Sequence, residues 1–253
     1  MRILEHLRNR QTRATRPPHL FALGVAALAV LAFAIPFTAC ENVASYTQPS
    51  LVRVIDASYI APAVNVQVEG TLLAANIGQG TITPYGTLRA SNDAAIDVTA
   101  ESGGATLVST TGTLLAGHQH SVFLADNGVA PLSYVVTILE DQQVAAAAGH
   151  SAFRFLNQAP KTGAVDIYMV PAGTTLADTI PLVAALPVGS TAGYISFTSQ
   201  TVTMVITPTG VLTPKYTSQS IALTGGEVRT VLIVDTQLTS NPPVAAFMAS
   251  DVN

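Results

Sequence analysis

His118 and His120 have the spacing in this chain that most resembles a metal site. Residues i and i+2 on a strand share a face, so both imidazoles could reach one ion. A usable site needs a third ligand, and the sequence offers only Asp126 and the distant His150 as candidates. We therefore interpret the two histidines as exposed residues at a turn-to-strand junction, and we predict no metal and no cofactor.

An internal repeat identifies residues that the chain carries twice. Residues 51–68 return as residues 152–169, and Arg53 and Arg154 occupy the same place 101 positions apart. A period of about 100 residues is too long for a solenoid and suits tandem globular domains. Each arginine could contact an anion once per domain. Since each lies at the start of an apolar strand, we favour a structural role at an outer face or edge, paired with a nearby acid such as Asp56.

A second block repeats with a longer offset. Residues 117–126 correspond to residues 226–235, 109 positions later, and Tyr85 corresponds to Tyr194 at the same offset. The second copy has no histidine at the positions of the histidine pair, so that pair is not part of the repeated design. The extra residues of the second copy fall before its tyrosine, where we expect a longer loop or hairpin at one end of the domain.

Two aspartates, Asp126 and Asp235, also occupy equivalent positions, each at the end of a strand. A calcium loop needs several acids or carbonyls packed closely, and each of these segments offers one carboxylate. We predict instead that each aspartate caps a turn. The tyrosines are interpreted as core or corner residues. A carbohydrate-binding surface of stacked aromatic rings is an alternative, but the absence of tryptophan, which often provides such stacking, counts against it.

Composition and charge exclude several classes of function. Residues 41–253 retain 6 of the 11 basic side chains and 14 of the 15 acidic ones, a net charge of −8. Such an acidic body is unsuited to nucleic acid, which requires clustered positive charge. The sequence contains no Gly-x-Ser-x-Gly elbow, no phosphate-binding glycine loop and no His-Glu-x-x-His motif. We predict that the protein is not an enzyme.

The first 40 residues have the pattern of an export signal. Five arginines precede an apolar run over residues 20–35, and small residues lead to Cys40, the only cysteine. Cys40 lies where a lipoprotein peptidase would cut, and lipid attachment explains a lone cysteine in an exported chain. Two alternatives stay open. One is ordinary cleavage with secretion, and the other is an uncleaved transmembrane anchor over residues 20–39, which has the ~20 residues needed to span a bilayer.

The rest of the chain has the pattern of an all-β protein. Apolar and polar residues alternate over 64–68 and 95–99, as in strands with one buried face. Glycine and proline punctuate these segments at intervals typical of a sandwich. We predict two tandem immunoglobulin-like antiparallel β-sandwich domains after an N-terminal apolar signal or anchor helix. The residues predicted to face the two cores are Val54, Val64, Val66, Val68, Phe155, Val165, Ile167 and Met169.

The repeat boundaries predict the domain organisation. A signal peptide with a lipobox-like end covers residues 1–40, and a linker covers 41–50. The first domain covers 51–145, a linker covers 146–151, and the second domain covers 152–253. Each domain is large enough to bury a core of its own without disulfides.

The opening motif of each repeat resembles the start of the DUF4397 domain, a module common in exported bacterial proteins. In the first repeat the resemblance lies in residues 52–58, Pro62 and residues 63–70, and in the second it lies in residues 153–157, Pro160 and residues 164–168. A histidine often follows the first strand in this family, where this chain has Asp56 and Asn157. The resemblance covers nearly all of the chain after Cys40 as two copies. It implies an immunoglobulin-like sandwich at the cell surface, and the function of the family is itself unassigned.

These patterns together predict an exported, lipid-anchored and non-catalytic protein of the cell envelope that serves surface binding, adhesion or display. Its predicted partners are the membrane, through lipid on Cys40, and another envelope protein or a polymer. A structural spacer without a ligand is the main alternative. A binder should expose a contiguous apolar or aromatic patch, whereas a spacer should be uniformly polar. An enzyme with a shallow inter-domain cleft would need convergent titratable groups.

Overall fold

A computed structural model describes residues 48–127, 133–237 and 239–251. Cys40 and the predicted signal peptide or anchor helix lie outside these residues. No helix formed by the described residues is long and apolar enough to cross a lipid bilayer. The described chain is all-β, as predicted, and its helical structure is limited to one 3-10 turn at Leu176–Asp178.

The strands of the first repeat form two sheets. In chain order they are β1 (Ser50–Asp56), β2 (Val64–Val68), β3 (Thr71–Ile77), β4 (Thr81–Ile82), β5 (Gly86–Leu88), β6 (Ser91–Ala100), β7 (Thr106–Leu114), β8 (Gln119–Asp126) and β9 (Tyr134–Asp141). Sheet I has the order β4-β1-β8-β9, and β5 also pairs with β1. Sheet II has the order β3-β2-β6-β7.

The strands of the second repeat form two sheets of matching order. They are β10 (His150–Gln158), β11 (Val165–Pro171), β12 (Val183–Leu186), β13 (Thr191–Thr198), β14 (Thr201–Pro208), β15 (Tyr216–Ala222), β16 (Val228–Asp235) and β17 (Val244–Ser250). Sheet III has the order β13-β10-β16-β17, and sheet IV has the order β12-β11-β14-β15. Both repeats belong to one compact unit, Thr47–Asn253. The division into two domains at the boundaries given above stays a prediction.

The sheets are not wholly antiparallel, which corrects the prediction. Strand β1 runs parallel to β8, and β10 runs parallel to β16, whereas the other pairings are antiparallel. The reason is topological. After β1 the chain alternates between the two sheets, with β2, β3, β6 and β7 in sheet II and the short β4 and β5 paired with β1. It then returns as β8, which lies beside β1 in the same direction. The carboxyl ends of β1 and β8 therefore meet at one edge of sheet I.

Alternating apolar residues build one core in each repeat. In the first repeat the inward residues of β1 and β8 pack against those of β2 and β6. The second repeat repeats this arrangement with larger side chains such as Phe153 and Met204. Burying each valine contributes roughly 1.5–3 kcal/mol relative to leaving it exposed. All the predicted core residues are confirmed: Val54, Val64, Val66 and Val68 in the first core, and Phe155, Val165, Ile167 and Met169 in the second.

A third apolar cluster joins the two repeats. It contains Ile55 and Phe123 from sheet I, and Leu156 and Leu232 from sheet III, all on faces turned away from their own cores. Strands β1, β8, β10 and β16 are consequently buried on both faces along most of their length. The sheets thus lie in the order II, I, III, IV, and we call the contact between sheets I and III the repeat interface.

The second repeat covers an apolar outer face that the first repeat lacks. Tyr168, Val170 and Val205 point outward from sheet IV, where Leu176 of the 3-10 turn packs against them. The matching strand of sheet II presents the exposed Gln67 instead. The extra residues of the second repeat were predicted to lengthen a loop at one end of the domain. They fold over the sheet face, because that face is apolar and requires a cover.

Each repeat contains a strained residue that a neighbouring side chain holds in place. Asn76 has φ 52° and Ala185 has φ 51°, in the left-handed region. The N–H of Asn76 donates to Oδ1 of Asn65 at 2.8 Å, and the N–H of Ala185 donates to Oδ1 of Asp166 at 2.7 Å. Asparagine tolerates this conformation better than alanine does, so the strain is greater in the second repeat.

We predict that Ala185→Gly stabilises the protein by about 0.5–1 kcal/mol, because glycine adopts a positive φ without steric cost and keeps the N–H bonded to Asp166. Ala184→Gly is the matched control. It lies next to Ala185 on the same exposed strand without a positive φ, and its substitution should destabilise by about the same amount. Chemical denaturation of both variants checks this. Equal destabilisation by the two substitutions would show that Ala185 carries no relievable strain.

Candidate functional site

Arg53 crosses the repeat interface and binds the end of the second repeat. Its Nη2 donates to Oδ1 of Asp251 at 2.6 Å, and its Nη1 donates to the carbonyl of Ser250 at 3.2 Å. Its Nε donates to Oγ of Ser121 at 2.8 Å, on the parallel strand of its own sheet. The side chain is almost completely buried, with 1% of its surface exposed. The arginine thus connects β1 to an acid about 200 residues away in sequence.

Arg154 makes the reciprocal set of contacts. Its Nη2 donates to Oδ1 of Asp141 at 2.5 Å, and its Nη1 donates to the carbonyl of Glu140 at 3.2 Å. Its Nε donates to Oγ1 of Thr230 at 3.1 Å, again on the parallel neighbour within its own sheet. Each repeat therefore supplies an arginine to the other repeat and receives one in return. Thr230 links the two sets, since its Oγ1 also accepts from Nη2 of Arg53 at 3.2 Å.

The acid predicted to pair with Arg53 is not the one that it binds. Asp56 lies three residues further along the same strand, and side chains three apart on a strand point to opposite faces. Arg53 shares the repeat interface with Ile55, whereas Asp56 turns toward the inside of its own repeat. The arginines are also not at an outer face or edge, because sheets I and III bury them.

The two repeated tyrosines complete the cluster. The hydroxyl of Tyr85 donates to Oδ2 of Asp141, and that of Tyr194 donates to Oδ2 of Asp251, both at 2.7 Å. The guanidinium carbon of Arg53 lies 4.8 Å from the ring centre of Tyr85, and that of Arg154 lies 5.0 Å from the ring centre of Tyr194. Such contacts favour a cation over the ring face.

The electrostatics of the cluster balance. Two arginines face two aspartates, so the buried group is neutral as a whole. Burial alone would lower the pKa of Arg53, but the attraction of Asp251 and Asp141 raises it above its usual value. Burial, and then the charge of Asp141, raise the pKa of Tyr85, which stays a hydrogen-bond donor. Removing one member of a buried ion pair typically costs 3–5 kcal/mol, because the other charge is left uncompensated.

Asp126 and Asp235, at the ends of β8 and β16, accept hydrogen bonds from the loop that follows the neighbouring parallel strand. Asp126 accepts from Oγ of Ser58 at 2.6 Å and from the N–H of Tyr59 at 2.7 Å. Asp235 accepts from Oγ1 of Thr162 at 2.6 Å and from the N–H of Lys161 at 2.6 Å. The capped turn follows β1 or β10, not the strand that carries the aspartate. The parallel pairing explains this, since it places the ends of both strands side by side.

The two histidines differ in exposure, which corrects the prediction that both are exposed. His120 is 2% exposed, because it shares the inward face of β8 with Val122 and Leu124. Its Nε2 accepts the N–H of Leu115 at 3.0 Å, so its proton is on Nδ1, and burial lowers its pKa. His118 pairs through Nδ1 with Glu140 at 2.6 Å. Among the described residues, no three histidine, cysteine or acidic side chains converge as metal ligands.

Two surface cavities lie on the first repeat. One of about 270 Å³ is lined by Thr113, Leu115, His120, Ile138 and Glu140. The other, of about 470 Å³, is lined by Glu69, Thr71, Leu88, Arg89, Ala90 and Ser91. Glu69 is engaged there with the N–H of Ala95 at 2.6 Å. In the first cavity the hydroxyl of Thr113 is engaged with the carbonyl of Asn92, to which it donates at 3.0 Å.

The family model described as a domain of unknown function, DUF4397, matches residues 50–168. The match spans the first repeat and the start of the second. A carbohydrate-binding module of family CBM26, CBMbc from Eubacterium rectale Amy13K in complex with maltoheptaose, is 10% identical over 79% of this chain and 96% of that chain, with a TM-score of 0.24. That similarity is too low to carry an argument. No curated protein matches this chain.

Sequence reasoning missed the acids and hydroxyls of the cluster. Asp141 and Asp251 each close a final strand of their repeat, and Ser121 and Thr230 are equivalent at the 109-residue offset. The signal was available in the apolar strands themselves. An arginine inside a strand that is otherwise apolar must be buried, and a buried arginine requires an acid. The sequence could not indicate that the acid belongs to the other repeat.

We predict that Arg154→Met destabilises the protein by about 3–5 kcal/mol, because the buried cluster then keeps two carboxylates with Arg53 as their one guanidinium partner. Arg229→Met is the matched control, since Arg229 pairs with Glu227 on the same sheet with both side chains partly exposed, and it should cost about 0–1 kcal/mol. Urea denaturation of the two variants checks the difference. Equal losses would contradict a special role for the buried pair.

Proposed function

We propose that the protein is an exported, lipid-anchored and non-catalytic module of the cell envelope, built from two tandem DUF4397 units of the immunoglobulin-like type. The repeated sheet order of the two halves supports two copies of one unit. The DUF4397 match over residues 50–168 supports the family assignment of the first unit. Export and anchoring rest on the basic and apolar leader that ends at Cys40.

The proposal of a non-catalytic role is supported by the position of the repeated ionisable groups. Both arginines of the repeat, both tyrosines, Asp141 and Asp251 satisfy one another in the repeat interface. Their charges hold the repeats together and are shielded from any substrate. A large buried contact between the repeats keeps them in a fixed relative position, which suits display or adhesion.

The exposed surface has few large apolar side chains among the described residues. Leu72 on β3, Val135 on β9 and Ile180 before β12 lie on different elements, and Val211 and Leu212 are neighbours in the loop after β14. Phe247 is the aromatic one among them, and it packs against Gly80 of the first repeat. Stacking of sugar rings on an aromatic platform therefore has no support among these residues. Binding or adhesion would have to use polar groups, and the spacer without a ligand is the main alternative.

A sedimentation assay tests the proposed binding role. Full-length protein in mild detergent is mixed with isolated cell-wall polymer and with envelope membranes from which proteins have been stripped. We expect the protein to sediment with the polymer and heat-unfolded protein to lose this binding. A protein that sediments with neither fraction, and that forms no cross-link to an envelope protein in cells, would support the spacer without a ligand.

Substitution of the single cysteine tests the anchor. We predict that Cys40→Ser moves the protein from the detergent phase to the aqueous phase of a phase-separating detergent and abolishes labelling by a radioactive fatty acid. A lipid anchor of more than one acyl chain gives stable membrane binding that a hydroxyl cannot provide. Mass spectrometry of the mature N-terminus is the control. An unmodified peptide that runs through Cys40 would contradict the lipoprotein assignment.

A further inference from the structure

Asp56 and Asn157 are equivalent residues, 101 positions apart, at the ends of the two central strands. They are 1% and 0% exposed. Oδ1 of Asp56 accepts the N–H of Ser58 at 2.9 Å, and Oδ1 of Asn157 accepts the N–H of Ala159 at 3.1 Å. Oδ1 of each side chain therefore makes the same contact, which caps the first turn of the loop after the strand.

The other half of each side chain differs. Nδ2 of Asn157 donates to the carbonyl of Gly163 at 3.0 Å and to that of Leu186 at 2.9 Å. Oδ2 of Asp56 is buried and has no hydrogen-bond partner among the described residues. The positions that match the two acceptors are Pro62 and Ile77, and Ile77 pairs with Val64 as Leu186 pairs with Val165.

The difference has a chemical consequence. An amide nitrogen donates hydrogen bonds, whereas an ionised carboxylate oxygen and a backbone carbonyl only accept them. An ionised Asp56 would place a buried negative charge where the second repeat places a donor, and burying such a charge without a partner is costly. A protonated carboxylic acid has one O–H donor and can replace one of the two amide hydrogens.

We propose that Asp56 binds a proton in the folded protein and serves in the first repeat as the counterpart of Asn157. The first repeat thus contains a proton-binding site. At the equivalent position of the second repeat, the amide of Asn157 donates hydrogen bonds at any pH without binding a proton. Release of the proton leaves a buried negative charge beside Asp126, next to the turn that follows β1. That turn includes Ser58 and Tyr59, which Asp126 holds.

The charged surroundings favour the protonated form. Burial and, less strongly, the negative charge of Asp126 raise the pKa of Asp56 to about 6, against the opposing effect of the Ser58 N–H. Strand β4 faces Asp56 with the uncharged Thr81 and Ile82. Arg53 points to the opposite face of β1, where its partner is Asp251. No cation among these groups compensates an ionised Asp56.

The sign of the pH dependence follows from the raised pKa. An unfolded aspartate ionises near pH 3.9, so between about pH 4 and pH 6 the folded state binds the extra proton. Stability from this group is present below about pH 4 and is lost as the pH rises to about 6, with no further loss above that. Two pKa units correspond to about a 100-fold change in the unfolding equilibrium constant.

Reciprocal substitutions in the full-length protein test the proposal. The unfolding constant is measured between pH 4 and pH 8 for the wild type, Asp56→Asn and Asn157→Asp. We expect Asp56→Asn to lower the unfolding constant about 100-fold at pH 7.5 and to leave it nearly unchanged at pH 4. Asn157→Asp should raise it at pH 7.5 and add a second pH-dependent step. A carbon NMR titration of aspartate carboxyls in the wild type should show one carboxyl that titrates near pH 6.

Three outcomes would overturn the proposal. Asp56→Asn could be less stable than the wild type at pH 7.5, which would mean that the carboxylate itself is needed. Every aspartate carboxyl of the wild type could titrate below pH 4.5, a result that does not depend on whether any variant folds. Added Ca²⁺ could stabilise the wild type but not Asp56→Asn at pH 7.5, which would make Asp56 a cation ligand. None of these outcomes bears on the lipid anchor or on binding to the cell wall.

Discussion

The exchange of arginines between the two repeats is the constraint on which the rest of the structure depends. Arg53 and Arg154 are buried charges, and each donates its shortest bond to a carboxylate of the other repeat, Asp251 and Asp141 respectively. Nε of Arg53 also lies 3.5 Å from Oδ2 of Asp141 in its own repeat. A buried arginine without its acid carries a desolvation cost that no neutral group repays. In either repeat alone, the arginine and the aspartate would lose the partner that the other repeat provides. The arrangement joins two halves of matching sheet order through reciprocal buried polar pairs.

The same exchange explains why the central sheets are buried on both faces. Sheets I and III contribute one face to their own cores and the other to the repeat interface. Gly80 at this interface has φ +86°, and a Cβ there would lie 2.4 Å from the ring of Phe247, so the close approach requires glycine. The outer sheets II and IV and the loops are therefore the parts that each repeat presents away from this interface.

Local patterns in the sequence predicted the all-β fold and the inward faces of both repeats, because a period of two fixes which side of a strand is buried. The parallel pairings of β1 with β8 and β10 with β16 were missed, since periodicity does not reveal strand direction. The partner of Arg53 was assigned to the wrong acid, although the odd spacing to Asp56 already excluded it. The partner in the other repeat was beyond prediction, because a single-chain pattern indicates burial without indicating what covers a face.

Calorimetry of the full-length protein at neutral pH tests the central claim most directly. If the reciprocal ion pairs make one body of the two repeats, unfolding should be a single transition whose van't Hoff enthalpy equals the calorimetric enthalpy for residues of both repeats. Two separate transitions, each with about half of the total enthalpy, would show that the repeats unfold independently. That result would contradict the account of the buried arginines as the bond between them.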